Sequence, residues 1–510
     1  MNAKVIYIRI GIVSAIALLT GLSIYCSTQI SGSVESGQSL APIDDVPRII
    51  MQRPRRVRPV KPESSWQQTV RLIYADSPNL QRWLDDEPLK VYIYDTLDEQ
   101  LSIQNISQCI EQRFAVSTIK CGYYPKICNA SDSGILGKFH NNYNSDVVTI
   151  KRFLEYPHQT KDPQEADLFF VPYPHKSHCL CHQKDFTRTR CKFNIKWIRE
   201  HVLDRLLYYN STTKVKHLFV LGSDYEQSNP PFRREIAMDI SLGPAGGCRP
   251  NRHSKGKHWS EICGSFTMPY VNTMADVQPS AVAALSKGWW VDRPRRYSVA
   301  ALMGTPGHLA IRVEFIQNQN DLFQQNVGGL PLYLQDLGNS RLSVNPMDIY
   351  RNSIFCPILM GDECAQKRFF DVLLAGCIPV VMEYEGDEEN SVSWYSNKRC
   401  SVRRTYPFAR GVYFDDLDAG LDYMSLVVSV NGTCGLPCMK IVLEDVMKDK
   451  ERLKNIRYTM YKYSLLFTTS LDPAQNDNHP DAFSAMTVTL RHYLRNLVSP
   501  LITSEHNNRL

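Results

Sequence analysis

The stretch CPILMGDECAQKRFFDVLLAGCIPVV, Cys356 to Val381, decides the fold. An apolar run breaks at Gly361-Asp362, a segment of helical spacing follows, and a second apolar run begins after Gly376-Cys377. Wound as a helix, the middle segment puts Phe369, Val372 and Leu373 on one face at i, i+3 and i+4. Cys364, Arg368 and Asp371 fall together on another. The pattern predicts buried strand, turn, helix, turn and buried strand, a βαβ unit with a charged pair beside its helix N-terminus.

The same alternation extends upstream. PLKVYIYDTL (Pro88 to Leu97) reads as the first buried strand of a globular body, and EADLFFVPYP (Glu165 to Pro174) as a Phe-rich strand ending at Pro172. A helical stretch spans Asn194 to Tyr209, and KHLFVLGSD (Lys216 to Asp224) is a strand that ends at polar Ser223 and Asp224. Strands alternating with helices predict parallel sheets. After a loop-like region from Gly243 to Gly256, SFTMPYV closes this half. YSVAALMG opens the next at Tyr297, followed by a helix through Arg312 to Asn318, and DAFSAMTVTLRHYLRNLV is the last amphipathic element. No short internal repeat is present. The reading is α/β, with one half at 88–285, a second at 286–500, and the junction near Asp276 to Arg296. Ligands of open parallel sheets lie outside the carboxyl ends of the strands. The Gly361 turn is therefore expected to point into a cleft between the halves.

At 510 residues with 43% hydrophobic content the chain can build more than one core. A net charge of +6 without a long basic repeat makes no case for nucleic acid. Ile10 to Cys26 carries no charge and follows Lys4 and Arg9, so residues 1–26 read as a cytosolic tail and transmembrane signal anchor, N-terminus inside. A cleaved signal peptide ranks second, because no small-x-small site follows. Residues 27–87 read as a stem, Ser-, Gly-, Pro- and Arg-rich to about Ser65, and everything before Pro88 as delivery. Four N-x-Ser/Thr sequons, at Asn105, Asn129, Asn210 and Asn431, agree with a lumenal body. So do fifteen cysteines, fourteen of them beyond Cys26 and able to pair. HKSHCLCHQ, with His175, His178, Cys179, Cys181 and His182, offers zinc ligands, but C-x-C is not the usual knuckle and Cys191 stands nearby. Disulfides are the expectation there.

A helix N-terminus suits phosphate, Arg368 adds a planar donor fork, and Asp371 one turn on can accept from ribose hydroxyls. Asp362 and Glu363 oppose a diphosphate at the same helix start unless Asp362 serves as the N-cap. The bland reading of Arg368 and Asp371 is an exposed i, i+3 ion pair. From spacing alone, that reading is slightly favoured.

Taken in order, the segments resemble the exostosin family, glycosyltransferase family 47, from about Lys90 to about Leu490. KVYIYD is similar to its opening strand, EYPHQTKDPQEADLFFVPYP and KHLFVLGSD to the strands that follow, and YRNSIFCPILMGDECAQKRFFDVLLAGCIPVVM to its nucleotide-binding unit; YPF and the late DAF also match. The resemblance implies a single-pass type II Golgi membrane protein of GT-B type, two Rossmann-like domains facing a cleft. It implies an inverting transfer from a nucleotide donor, expected to be a UDP-sugar, to a glycan or polysaccharide. Arg368 and Asp371 would face donor diphosphate and ribose, Gly361 the turn beside them, and Gly304 and Arg312 the opposing loop and helix. The chain resembles the single-domain members. It departs from the family in ECAQK before the arginine, in Gln159 where arginine is frequent, and in SFTMP, which lacks an acid before its proline.

Inverting transfer needs a base for the acceptor hydroxyl and a stabilised leaving diphosphate. Asp224 is the first candidate base, ahead of Glu226 and the histidines near His175, and its bland reading is a loop cap. No cofactor and no metal are expected, since DLD at Asp416 to Asp418 reads as a solvated loop. Competing classes are a catalytically silent glycan-binding or partner subunit and a zinc-dependent hydrolase. The sequence leaves homo- or hetero-oligomerisation open.

Overall fold

Runs such as Leu168–Val171 and Ser353–Ile358 are buried at every position, the mark of strands covered on both faces. They belong to two parallel sheets in the computed structural model. It describes residues 63–94, 145–175, 195–222, 232, 235–241, 265–271, 277–304, 310–318, 326–336, 345–359, 366–383, 402–411, 414, 416, 418–470 and 479–495. These lie in one unit, Pro62–Leu510. The expected membrane segment lies outside them, and among the described residues no helix is long and apolar enough to cross a membrane.

The N-terminal sheet comprises β1 (Val91–Ile93), β2 (Gln159–Thr160), β3 (Leu168–Val171), β4 (His217–Val220), β5 (Met238–Ser241) and β6 (Ser265–Thr267). Their order is β2-β1-β3-β4-β5-β6, with every pair parallel. The second sheet comprises β7 (Tyr297–Met303), β8 (Asn326–Val327), β9 (Leu330–Asp336), β10 (Ser353–Ile358), β11 (Ile378–Glu383) and β12 (Val428–Asn431). Its order is β12-β11-β10-β7-β9-β8, antiparallel only at β8 against β9. From β7 the chain goes first to β9 on one side and then to β10 on the other. That reversal opens a crevice at the carboxyl ends of β7 and β10, where doubly wound sheets hold ligands.

The opening stretch forms as its spacing dictates. β10 and β11 are parallel neighbours joined by the helix Lys367–Leu374, whose Phe369, Phe370, Val372 and Leu373 are fully buried. Each such side chain contributes about 1.5–3 kcal/mol by leaving water. A disulfide joins Cys356 of β10 to Cys377 just before β11 and closes the unit on itself, and a second joins Cys434 to Cys438. Asn210 and Asn431 are exposed; Asn105 and Asn129 lie outside the described residues.

Two segments differ from expectation. Residues 65–84, placed in the stem, instead form the helices Ser65–Ile73 and Leu80–Leu84. Ser64 and Gln67 make a capping box, and Trp66, Val70, Ile73 and Trp83 are buried, so folded structure begins before Pro88. The second difference is the helix Ala482–Tyr493, which returns from the C-terminal half to the N-terminal one. Thr69 donates to Ser484 at 2.9 Å, Tyr74 shares a 2.5 Å hydrogen bond with His492, and Trp83 stacks on His492 at 4.9 Å. Phe483 and Tyr493 pack against Phe153 and Phe266 of the N-terminal half. Arg491 pairs with Asp86 at 3.3 Å and Asp167 at 2.6 Å, and Arg495 also reaches Asp86. Burial alone would raise the Asp86 carboxyl, but the two arginines outweigh it and hold it below its ordinary range.

Candidate active site

The β7/β10 crevice is organised around Arg312, buried on the helix Ala310–Gln317. Its Nη1 donates to the carbonyl of Gly304 at the end of β7 (3.3 Å), and its Nη2 to the Leu359 carbonyl past the end of β10 (3.4 Å) and to Gln366 Oε1 (3.0 Å). Gln366 Nε2 in turn donates to Leu359 O at 3.0 Å. One guanidinium thus ties both strand ends to the start of the Lys367–Leu374 helix. Arg312 is a positioning residue in this geometry, with Gly304 and Gln366 among its acceptors.

Gln366 is the N-cap of that helix, yet its side chain is spent on Arg312 and Leu359 and makes no cap hydrogen bond. The first turn contains no acid and begins Lys367-Arg368. This corrects one expectation: the N-cap is Gln366 and not Asp362, so neither Asp362 nor Glu363 belongs to the helix itself. Both lie upstream, outside the described residues, with Gly361 and Cys364.

The pair beside the helix N-terminus also differs from the simple i, i+3 bridge. Lys367 Nζ donates to both carboxylate oxygens of Asp371 at 2.8 Å, an i, i+4 contact. Arg368 donates to the hydroxyl of Tyr350, which stands near both charges and is pushed up to about 12, chiefly by burial. The Nη1 of Arg368 is buried and donates to nothing. Such a group costs about 1–3 kcal/mol or more unless a ligand completes it. The structure thus ties Gly304, Arg312 and Gln366 together at the ends of β7 and β10, and places Arg368 and Asp371 on the helix that starts there. Lys367, Gln366 and Tyr350 went unread in the sequence. Gln366 and Lys367 were legible only as part of the departure ECAQK, and Tyr350, set between Ile349 and Arg351, carried no motif that marked it out.

Across from this helix, Tyr270 beyond β6 meets Phe370 with rings tilted at 42° and centroids 6.1 Å apart, joining the halves. In the N-terminal half, β4 runs out through Leu221 to Gly222, whose φ of +62° turns the chain. Asp224 and Glu226 follow outside the described residues. Ser145, Thr149, Gly222, Met268 and Pro269 gather beside these strand ends. His175 is buried between Tyr173 and Phe232, as a core histidine would be. The other ligands proposed for zinc, His178, Cys179, Cys181 and His182, and Cys191 lie outside the described residues. Among those described, no group of three or more His, Cys, Asp or Glu is placed to hold a metal. Asp416 of the DLD lies in a bend, half-buried, and accepts from Asn79 Nδ2 at 2.9 Å and from Ser77, tethering the turn between the first two helices.

Comparison with known proteins adds the last observations. Residues 85–395 match the model of the exostosin GT47 domain. The chain is 26% identical over 271 residues to "Probable xyloglucan galactosyltransferase GT12" of Arabidopsis thaliana, covering 51% of this chain and 50% of that protein. Over 63 residues it is 38% identical to "Probable xyloglucan galactosyltransferase GT14" of the same plant, covering 12% of each. The alignments thus span half or less of these relatives.

Proposed function

Since the chain belongs to the exostosin GT47 family, we propose that it is an inverting glycosyltransferase that moves a sugar from a UDP-sugar to a glycan or polysaccharide hydroxyl. The observation that carries the reading is Arg368: a guanidinium with a buried, unmatched Nη1 at the uncapped start of a helix, beside the β7/β10 reversal. A diphosphate supplies the missing acceptors and meets the positive end of the helix. Asp371, held by Lys367, is the carboxylate proposed to accept from ribose hydroxyls. The names of the relatives make a galactosyl donor the first to test.

In the reaction, an acceptor hydroxyl loses its proton to a base as it attacks the anomeric carbon and the bond to diphosphate breaks. Arg368 and the helix N-terminus take the charge that develops on the leaving phosphate. Asp224, two residues past the Gly222 turn, is proposed as that base, and Arg312 and Gln366 keep the donor-side helix in register with the strand ends. We place the protein in the Golgi membrane as a single-pass type II protein with its catalytic body in the lumen, on the strength of the Lys4/Arg9 asymmetry and the sequons. No metal is assigned a role.

Calorimetric titration of UDP tests the site. Arg368→Ala should weaken UDP and UDP-sugar alike by about tenfold to a hundredfold, the loss of a charge-assisted hydrogen bond of about 1.5–3 kcal/mol. Asp371→Asn should selectively reduce the penalty for a 2'-deoxy or 3'-deoxy analogue. Unaltered UDP affinity in both variants, each shown folded by circular dichroism, rejects the assignment.

A further inference from the structure

The opposite edge of the second sheet gathers arginines. The segment DRPRR, Asp292 to Arg296, enters β7 there, and Arg457 of the helix Lys450–Tyr463 reaches the same place. Arg293 and Arg295 both donate to the carbonyl of Arg351. Arg295 also donates to Gly376 O at 3.0 Å, and Arg457 to Val291 O at 3.1 Å. These carbonyls lie at or just past the ends of the helices Pro346–Arg351, Lys367–Leu374 and Lys287–Val291. Helix C-termini favour cations, so capping accounts for part of the cluster.

Capping does not balance it. Each helix end offers roughly half a negative charge, against three whole cations. Among the described residues no carboxylate forms an ion pair with the three. Asp292 acts on Arg457 only from a distance, and Asp348 is engaged by Arg351. The Nε–H groups of Arg293, Arg295 and Arg457 are each shut off from bulk water and donate to nothing. Arg295 and Arg457 are only 8% and 7% exposed. Arg293 is half-buried over the half-buried Trp289 ring at 4.3 Å, which leaves an approach from solvent. Burial first, then the neighbouring cations, lowers Arg295 to about 8 and Arg293 to about 10.

We propose that Arg293, Arg295 and Arg457 form a binding site for a small oxyanion, a carboxylate, sulfate or phosphate group, at the amino edge of the second sheet. β7 spans seven residues, so at about 3.3 Å per residue this site lies roughly 20 Å from the proposed nucleotide crevice. Guanidinium forks match such anions in geometry as well as charge. The group arrives either as a free ion or as part of an acidic sugar. A second contact point for an acidic glycan would hold the chain remote from the reacting hydroxyl.

The test is thermal unfolding of the full-length protein in detergent, titrated with sodium sulfate at ionic strength fixed with sodium chloride. Sulfate raises stability generally by exclusion, in proportion to concentration and in any protein. Site binding instead gives a rise that saturates. Arg293→Gln, at a half-exposed position, should keep the circular dichroism spectrum and the UDP affinity of the parent while weakening the saturable component by about tenfold or more. Arg457→Lys, which keeps the charge and loses the fork, is the second variant and should also weaken it. A linear response identical in parent and variants overturns the proposal. A uronate-bearing oligosaccharide that saturates the parent and fails on the variants supports the site and identifies an acidic sugar as occupant. Sulfate saturation without oligosaccharide binding supports it with a free ion as occupant. Unchanged UDP affinity in the variants keeps this outcome separate from the fate of the nucleotide site.

Discussion

Asp481 is a junction whose removal should nearly undo the fold. Its carboxylate accepts from Ser484 N at 2.8 Å as the cap of the returning helix, from Ser470 N at 3.1 Å, and from Arg152 Nη2 at 2.9 Å. It is 1% exposed, and Arg152 lies over the Phe483 ring at 4.8 Å. In Asp481→Ala the lost cap costs about 1 kcal/mol, and stranding one partner of a buried ion pair costs about 3–5 kcal/mol. The terms overlap, so the expected total is about 4–6 kcal/mol, comparable with the whole stability of many domains. Asp481→Asn, which can still cap, should lose less. Adding Arg152→Met to Asp481→Ala should recover part of the loss, because it removes the orphaned charge. Urea unfolding followed by circular dichroism, with the four proteins arranged as a cycle, reads these values. A loss below about 1 kcal/mol for Asp481→Ala, or no recovery from Arg152→Met, refutes the ion-pair reasoning.

Two further outcomes are expected from covalent and protonic features. Replacing both Cys356 and Cys377 by Ala opens a loop of 21 residues and should cost about 3 kcal/mol; an unfolding midpoint equal to that of the parent would show that parallel strand pairing alone holds the unit. His217 is buried with Nδ1–H donating to Thr213 O at 2.9 Å and Nε2 accepting from the Tyr94 hydroxyl at 2.8 Å. Burial lowers it to about 4. The unfolded chain therefore binds this proton first as pH falls: the stability contributed by neutral His217 is intact above about 6.5, declines below it, and is lost by about pH 4, a drop of about 3 kcal/mol. His217→Gln should flatten that part of the stability profile, and an unchanged slope in the variant would exclude His217 as its source.

The βαβ reading of residues 356–381 succeeded because a strand buried on both faces leaves an unbroken apolar run, and because Phe369, Val372 and Leu373 have no helical placement other than inward. The helix start was misjudged since Asp362 is a good cap in isolation. Arg312 takes the side chain of Gln366 from a different element, and a contact 54 residues away has no local signature. The N-terminal helices were legible in part: Ser64, Gln67 and the spacing of Trp66, Val70 and Ile73 form a valid start signal. The neighbouring RPRRVRPVKP drew them into the linker. Nothing local marks Ala482–Tyr493 as a visitor to the other half, because amphipathicity shows that a helix packs and not upon what. The arginines of DRPRR fall within the junction near Asp276 to Arg296, and no local pattern marks the three helix ends that converge on them.

The returning helix makes folding order a consequence of architecture. Thr69 and Ser484, whose side chains touch, are 415 residues apart, and Tyr74 and His492 are 418 apart. Closing so distant a contact gives little reward until nearly everything between has been organised. A ribosome delivers the first sheet and its leading helices long before their last partner exists. During that interval the apolar faces of Trp66, Val70 and Trp83, and the carboxylate of Asp86, wait without the surface that covers them. Chains that stop short of Ala482 should therefore persist as chaperone clients although they hold every strand of both sheets, and the helix Ala482–Tyr493 acts as the latch that releases the molecule from quality control.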